Sequence, residues 1–186
     1  MRILSLDIST KTGYAVFEDG KYKSSGALPK VFVKDFNVNK EPQKSSEYPW
    51  NIIDAADEVA KSILALYSDV KPDVMVLEDT NKGRNRATQR CLEWLHYSIL
   101  KILRPFGKPI KYMDSSEWRK IVGLKLNQEQ RKNNKDVSAG KKRGKVNKKH
   151  LSVLMTNEKF GLTLLLKDND QSDACLLGLA FVTKNS

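Results

Sequence analysis

The sequence predicts an α/β domain: a mixed five-stranded sheet, three antiparallel strands extended by parallel ones, with helices on both faces. Three observations carry this expectation. Residues 2–28 alternate β-rich runs with a turn signal, the pattern of consecutive antiparallel strands. Two short apolar runs further on, "DVMVLED" and "KPIKYMD", sit between longer stretches whose apolar residues recur at helical spacing. The order of the main elements, β-β-β-α-β-α-β-α-α, then places parallel strands beside the opening three.

In the opening "RILSLDIST", Ile3, Leu4, Leu6 and Ile8 read as a strand buried on both sides. Asp7 lies inside it, although aspartate is depleted in strands and an ionised carboxylate among apolar groups is costly without a partner. "TGYAVFEDGKYKSSGAL" reads as a hairpin turning at Asp19-Gly20 and returning through Lys21 to Leu28. Residues 29–48, with Pro29 and Pro42, suggest a loop. From Trp50 to Tyr67, residues Ile52, Ile53, Ala56, Val59, Ala60, Ile63, Leu64 and Tyr67 mark a helix with one buried face. "DVMVLED" is a short buried parallel strand, and a second helix runs from about Arg86 to Leu103 with Cys91, Leu95, Ile99 and Ile102 inward. "KPIKYMD" gives another strand and "SSEWRKIVG" a short helix, with Ser115 or Ser116 near its N-cap and Trp118 as a core anchor. Residues 127–146 have almost no apolar residues and no periodicity, and read as an insertion. Helical patterns resume from about Asn147 to Phe160 and from Asp170 to Thr183.

Composition narrows the classes. A chain of 186 residues fits one domain, 1–186, with a basic insertion at about 125–146. No run approaches the roughly 20 apolar residues of a membrane span. No apolar leader precedes the first strand, so the expected location is cytoplasmic, the host cytoplasm if phage-encoded. Cys91 and Cys175 fall in apolar helical patterns and are expected to be reduced core thiols. The net charge is +11, and the stretch from Lys125 to Lys149 carries +8 of it. Such a block attracts a polyanion, with nucleic acid ahead of an acidic membrane surface, or else forms a solvated loop.

The misplaced Asp7 has companions. Glu78 ends the apolar run Val74–Leu77, where parallel strands deliver residues to the sheet edge. "DNDQSDACLLGLAF" opens the last helix, and Asp170 and Asp173, three apart, share a face. Singly, each acid has an ordinary explanation: Asp170 or Asp173 would be favoured near a helix N-terminus, and Glu78 could face water. Converging, the four would repel one another unless a cation joined them, and a hard divalent ion such as Mg²⁺ suits carboxylates that share a site with phosphate oxygens. His96 and His150 lack any paired ligand pattern.

Here the sequence resembles the RuvC-like Holliday junction resolvases of the RNase H-like superfamily. "ILSLDISTKTGYAV" is similar to the family's first strand and hairpin, "DVMVLED" to the strand bearing its second acid, and "DQSDACLLGLA" to its terminal helix. "SSEWRKIVG" resembles a segment of phage-type members. The resemblance implies an RNase H-like fold and a Mg²⁺-dependent endonuclease that uses two metal ions per site, with Mn²⁺ as a substitute, to hydrolyse a phosphodiester to 5′-phosphate and 3′-hydroxyl. Asp7 would bridge both ions, with Glu78, Asp170 and Asp173 completing their shells; Asp168 is an alternative to Asp170. The implied substrate is branched DNA, a four-way junction or also flaps and forks, cut by a homodimer. The helix from about Arg86 to Leu103 is its candidate interface, because Trp94 and Tyr97 lie off the apolar stripe. Lys82, Arg84 and Arg86 beside the second acid, and Arg119 and Lys120 in the short helix, are candidate DNA contacts. So are Lys141, Lys142 and Arg143 in the insertion and Lys148 after it. Where resolvases place an aromatic residue just after the second acid, "EDTNKGRNR" offers Asn81 and basic residues. Two other readings share features of the pattern. An RNase H acting on RNA–DNA hybrids would use the same metal chemistry, and the opening hairpin resembles the phosphate-binding hairpin of actin-like ATP-binding proteins, which need a second such domain.

Overall fold

The computed structural model describes residues 1–31, 48–79, 86–138, 144 and 146–186, with the side chains of 86–88 and 137 outside that description. Five strands, β1 (Arg2–Asp7), β2 (Gly13–Glu18), β3 (Lys21–Ala27), β4 (Val74–Glu78) and β5 (Ile110–Met113), form one sheet in the order β3-β2-β1-β4-β5. The first three are antiparallel; β4 runs parallel to β1, and β5 parallel to β4. This is the mixed sheet expected. The β2–β3 turn is made by Asp19 and Gly20, both at positive φ (50° and 77°), which matches the twist of a tight hairpin.

Strand parity divides the core in two. Leu4 and Leu6 of β1 and Met75 and Leu77 of β4 face α1 (Trp50–Val70) and α2 (Arg86–Leu103), where Ala56, Val59, Ile63, Leu95 and Ile99 close the layer. The alternate residues Ile3, Val74 and Val76 face α6 (Asn169–Lys184), with Cys175, Leu176, Leu177 and Ala180 packed against them. α3 (Ser115–Ile121) adds Trp118 to this second layer, and α5 (Lys148–Phe160) packs beside α6. Both cysteines are free thiols; Cys175 is buried and Cys91 partly so. Among the described residues no helix is long and apolar enough to cross a membrane.

Two glycines let α6 sit close on the sheet. A Cβ at Gly178 would overlap the Phe17 ring and stand 2.6 Å from Ser5 Oγ, the hydroxyl that donates to the Ala174 carbonyl at 2.8 Å. At Gly13 a Cβ would run into the Asp170 carbonyl and stand 2.5 Å from Gln171 N.

Three expectations are corrected. The N-cap of α3 is Asp114 rather than Ser115 or Ser116: its carboxylate accepts from the Ser116 amide at 2.6 Å, and a charged acceptor at a helix N-terminus suits the dipole. Trp94, expected off the apolar stripe of α2, packs partly buried against the first core layer. Inside the stretch expected to lack regular structure lies α4 (Gln128–Ser138). It has no apolar face to declare it. Its start is fixed by a reciprocal capping box, in which Gln130 N donates to the Asn127 side chain at 2.8 Å and Asn127 N to the Gln130 side chain at 3.0 Å. Its far end is tied by the Asn134 amide, which donates to the Val146 carbonyl at 2.7 Å and accepts from Val146 N at 2.9 Å. Most of the expected loop at 29–48, namely 32–47, lies outside the described residues.

Candidate active site

Asp7 and Glu78 end adjacent parallel strands, one step beyond the paired Leu6 and Leu77. Side chains alternate along a strand, so Asp7 follows Ser5 and Ile3, and Glu78 follows Val76 and Val74, onto the α6 face. There α6 begins. Asp7 pairs across the sheet with Gly13, the residue on whose bare backbone Asp170 rests. Asp173, one turn on, is buried at 7% exposure. The fold therefore brings all four expected acids to the C-terminal ends of the interior strands β1 and β4.

Their mutual effect appears in the proton affinities of three of them. Burial pushes the Asp7 carboxyl well above its usual range, and the charges of Glu78, Asp173 and Asp170 push it further, with Lys149 opposing. Glu78 is raised by burial and by Asp173, against the pull of Arg119 and of the Trp118 indole. Asp173 is likewise raised by burial, while the Ser152 hydroxyl, Arg119 and Lys149 hold it down. Asp168, the alternative to Asp170, is occupied elsewhere. Its Oδ2 accepts from Leu165 N at 3.0 Å and its Oδ1 lies 3.7 Å from Lys11 Nζ.

Two of the acids have one oxygen anchored and one turned outward. Glu78 Oε2 accepts from the Trp118 indole N–H at 3.0 Å, leaving Oε1 facing Arg119 Nη2 at 3.9 Å. Asp173 Oδ1 accepts from Ser152 Oγ, leaving Oδ2 facing the same Arg119 nitrogen at 3.8 Å. Behind Ser152 stand Ser172 at 2.7 Å and, beyond it, Thr156 at 2.9 Å, all fully buried. Ser152 donates to the ionised Asp173 carboxylate, Ser172 and Thr156 share the hydroxyl contacts behind it, and Thr156 Oγ1 also donates to the Ser172 carbonyl at 3.3 Å. Such outer partners fix the orientation of metal-binding carboxylates.

A divalent ion fits this donor set on its chemistry: the free groups are all carboxylate oxygens, and two of them already converge on one cationic atom. As the side chains stand, no three His, Cys, Asp or Glu residues among those described lie close enough together to hold one metal ion. The guanidinium of Arg119 lies between two of the acids instead. Replacing Trp118 by Phe keeps an aromatic ring and removes the N–H, freeing Glu78 to rotate. Mn²⁺ affinity in titration calorimetry is expected to fall by about 10–100-fold; an unchanged affinity would mean that the indole only fills space.

Of the candidate DNA contacts, Lys120 and Lys148 are exposed on α3 and α5. Arg119 is largely buried against the acids. Lys82, Arg84, Lys141, Lys142 and Arg143 lie outside the described residues, as does the side chain of Arg86. Sequence reasoning does not single out Lys149, Ser152 and Thr156. They share one face of α5 at helical spacing, a polar stripe visible to anyone scanning that helix for polar rather than apolar periodicity.

Solved structures of known function share this architecture. Thermus thermophilus RuvC in complex with a Holliday junction substrate is similar over 100% of this chain and 94% of its own, at 11% identity and a TM-score of 0.65. Another Thermus thermophilus RuvC structure matches over 100% and 95%, at 15% identity and 0.61. The yeast mitochondrial Holliday junction resolvase Ydc2 matches over 97% and 77%, at 12% identity and 0.53. No protein-family model and no curated protein matches the sequence. The chain has the RuvC fold, an RNase H-like mixed sheet with helices on both faces.

Proposed function

We propose that the protein is a structure-selective endodeoxyribonuclease that resolves four-way DNA junctions, using Mg²⁺ held by Asp7, Glu78, Asp170 and Asp173. The observation that carries this reading is the convergence of these four acids at the C-terminal ends of β1 and β4 in a RuvC-fold sheet, with Asp7, Glu78 and Asp173 raised in proton affinity there. The neighbouring structures are junction-resolving proteins, one with its junction bound, which supports four-way junctions ahead of RNA–DNA hybrids. Divalent metal bound by these carboxylates would supply water activation and leaving-oxygen stabilisation for phosphodiester hydrolysis. The chain's own part is orientation. Trp118 and Ser152 hold Glu78 and Asp173 with one oxygen each toward the site, and Gly13 lets α6 bring Asp170 against β2.

Lys149 acts electrostatically on Asp7 and Asp173, and Lys120, Lys148 and the basic composition of residues 125–149 offer positive charge for phosphate contacts, a sequence-independent attraction. Two paired nicks in a two-fold symmetric junction call for a homodimer, and α2 offers the exposed Tyr97 and Leu100 for its contact. A cytoplasmic, phage-type enzyme accords with the reduced cysteines and the "SSEWRKIVG" segment. The test is a cleavage panel in Mg²⁺ with a four-way junction, a flap, an RNA–DNA hybrid and linear duplex. Symmetrical, ligatable nicks in the junction are expected, with little cutting of duplex. Preferential cleavage of the hybrid's RNA strand would replace the resolvase reading with that of a ribonuclease H.

A further inference from the structure

We infer that Arg119 is the site's internal counter-cation, neutralising Glu78 and Asp173, and that a divalent ion binds by displacing it. The inference rests on the metal-site reading above. Nη2 of Arg119 lies 3.9 Å from Glu78 Oε1 and 3.8 Å from Asp173 Oδ2, the two oxygens that the scaffold leaves free. Both distances are too long for hydrogen bonds, so the guanidinium spans the carboxylates as a charge without gripping either. Its Nε is buried and finds no hydrogen-bond partner among the described residues. The flat group is instead stacked over Trp118, 4.6 Å from the ring centroid, and that same indole donates to Glu78. Cation, ring and carboxylate thus form one unit. An arginine that is loosely paired and incompletely hydrogen-bonded is well suited to neutralise acids and then give way.

A cation that must leave weakens its competitor. Arg119 therefore stabilises the metal-free site and lowers its affinity for divalent ions, a positioning role distinct from contact with DNA. The decisive measurement is Mn²⁺ titration calorimetry on the full chain, paired with melting in metal-free buffer. Arg119→Gln is expected to bind Mn²⁺ tighter by about tenfold or more, from loss of a unit charge some 4 Å away, while melting at a lower temperature without metal. Arg119→Lys, which keeps the charge, is expected to stay close to wild type in both. Equal or weaker Mn²⁺ binding by the Gln protein overturns the inference, as does a Lys protein that binds as tightly as the Gln one is expected to. Should the Gln protein fold only when Mn²⁺ is present, that rescue supports it; should it fold in neither condition, the Lys protein decides. The failure of the metal-site reading looks different: wild type itself would then show no Mn²⁺ binding that Asp7→Asn removes.

Discussion

Asp7→Asn is expected to abolish junction cleavage in Mg²⁺ and, without metal at neutral pH, to raise the melting temperature. The two effects share a cause. Asp7 is the acid that burial and three neighbouring carboxylates disfavour most as an anion, so its charge is what the reaction needs and what the fold resists. Loss of activity should be at least about 10²–10³-fold, the scale seen when one electrostatic stabiliser of a transition state is removed. The pH dependence follows from the raised proton affinity. The folded chain holds the Asp7 proton more tightly than the unfolded chain does, so wild-type stability falls as pH climbs from the ordinary carboxylate range through the raised folded value. Asn escapes that fall. The variant's advantage should therefore be small in mild acid and grow toward neutrality, at roughly 2–4 °C per kcal/mol of relieved repulsion. Calorimetric melts across pH, beside junction assays, check both halves. A wild-type cleavage rate in the Asn protein would remove the two-metal assignment.

Gly13→Ala is expected to damage the fold and the site together. The added methyl would meet the Asp170 carbonyl and the Gln171 amide, backbone atoms that no rotamer change can move aside. Either α6 lifts from β2, taking Asp170 away from Asp7, or the strand distorts. Overpacking of this kind costs about 3 kcal/mol or more, the upper end of the usual range, and should depress melting by some 6–12 °C at the scale given above. Gly178→Ala meets a ring and a hydroxyl, which can yield slightly, so its loss should be smaller. Chemical denaturation of both proteins separates the cases; a Gly13→Ala chain as stable as wild type would mean that α6 does not bear on β2 as closely as described.

Much of this is legible in the chain. Asp7 and Glu78 stand out because each is a charge in a largely apolar run, and the Asp19-Gly20 turn marks the hairpin. Their common face also follows from strand parity, once the strands are known to be neighbours. What stays hidden depends on contacts between distant segments. Trp118 reads correctly as a core residue, but nothing local says that its N–H ends on Glu78, forty positions away. Arg119 reads as one more basic residue near DNA until the fold turns it onto two acids. Helix α4 escapes because capping and side-chain amides define it, and apolar periodicity does not detect either.

The sheet leaves two edges, β3 and β5, and these bear on how the molecule behaves in crowded solution. Open edges invite strand-to-strand association into aggregates. Here β3 displays Lys21 and Lys23, both exposed, and β5 is only four residues long and carries the exposed Lys111. Lysines on one edge and brevity on the other discourage a continuous intermolecular sheet. Copies of this chain are thereby steered away from pairing through their strands, which leaves helical surfaces as the route to ordered self-association.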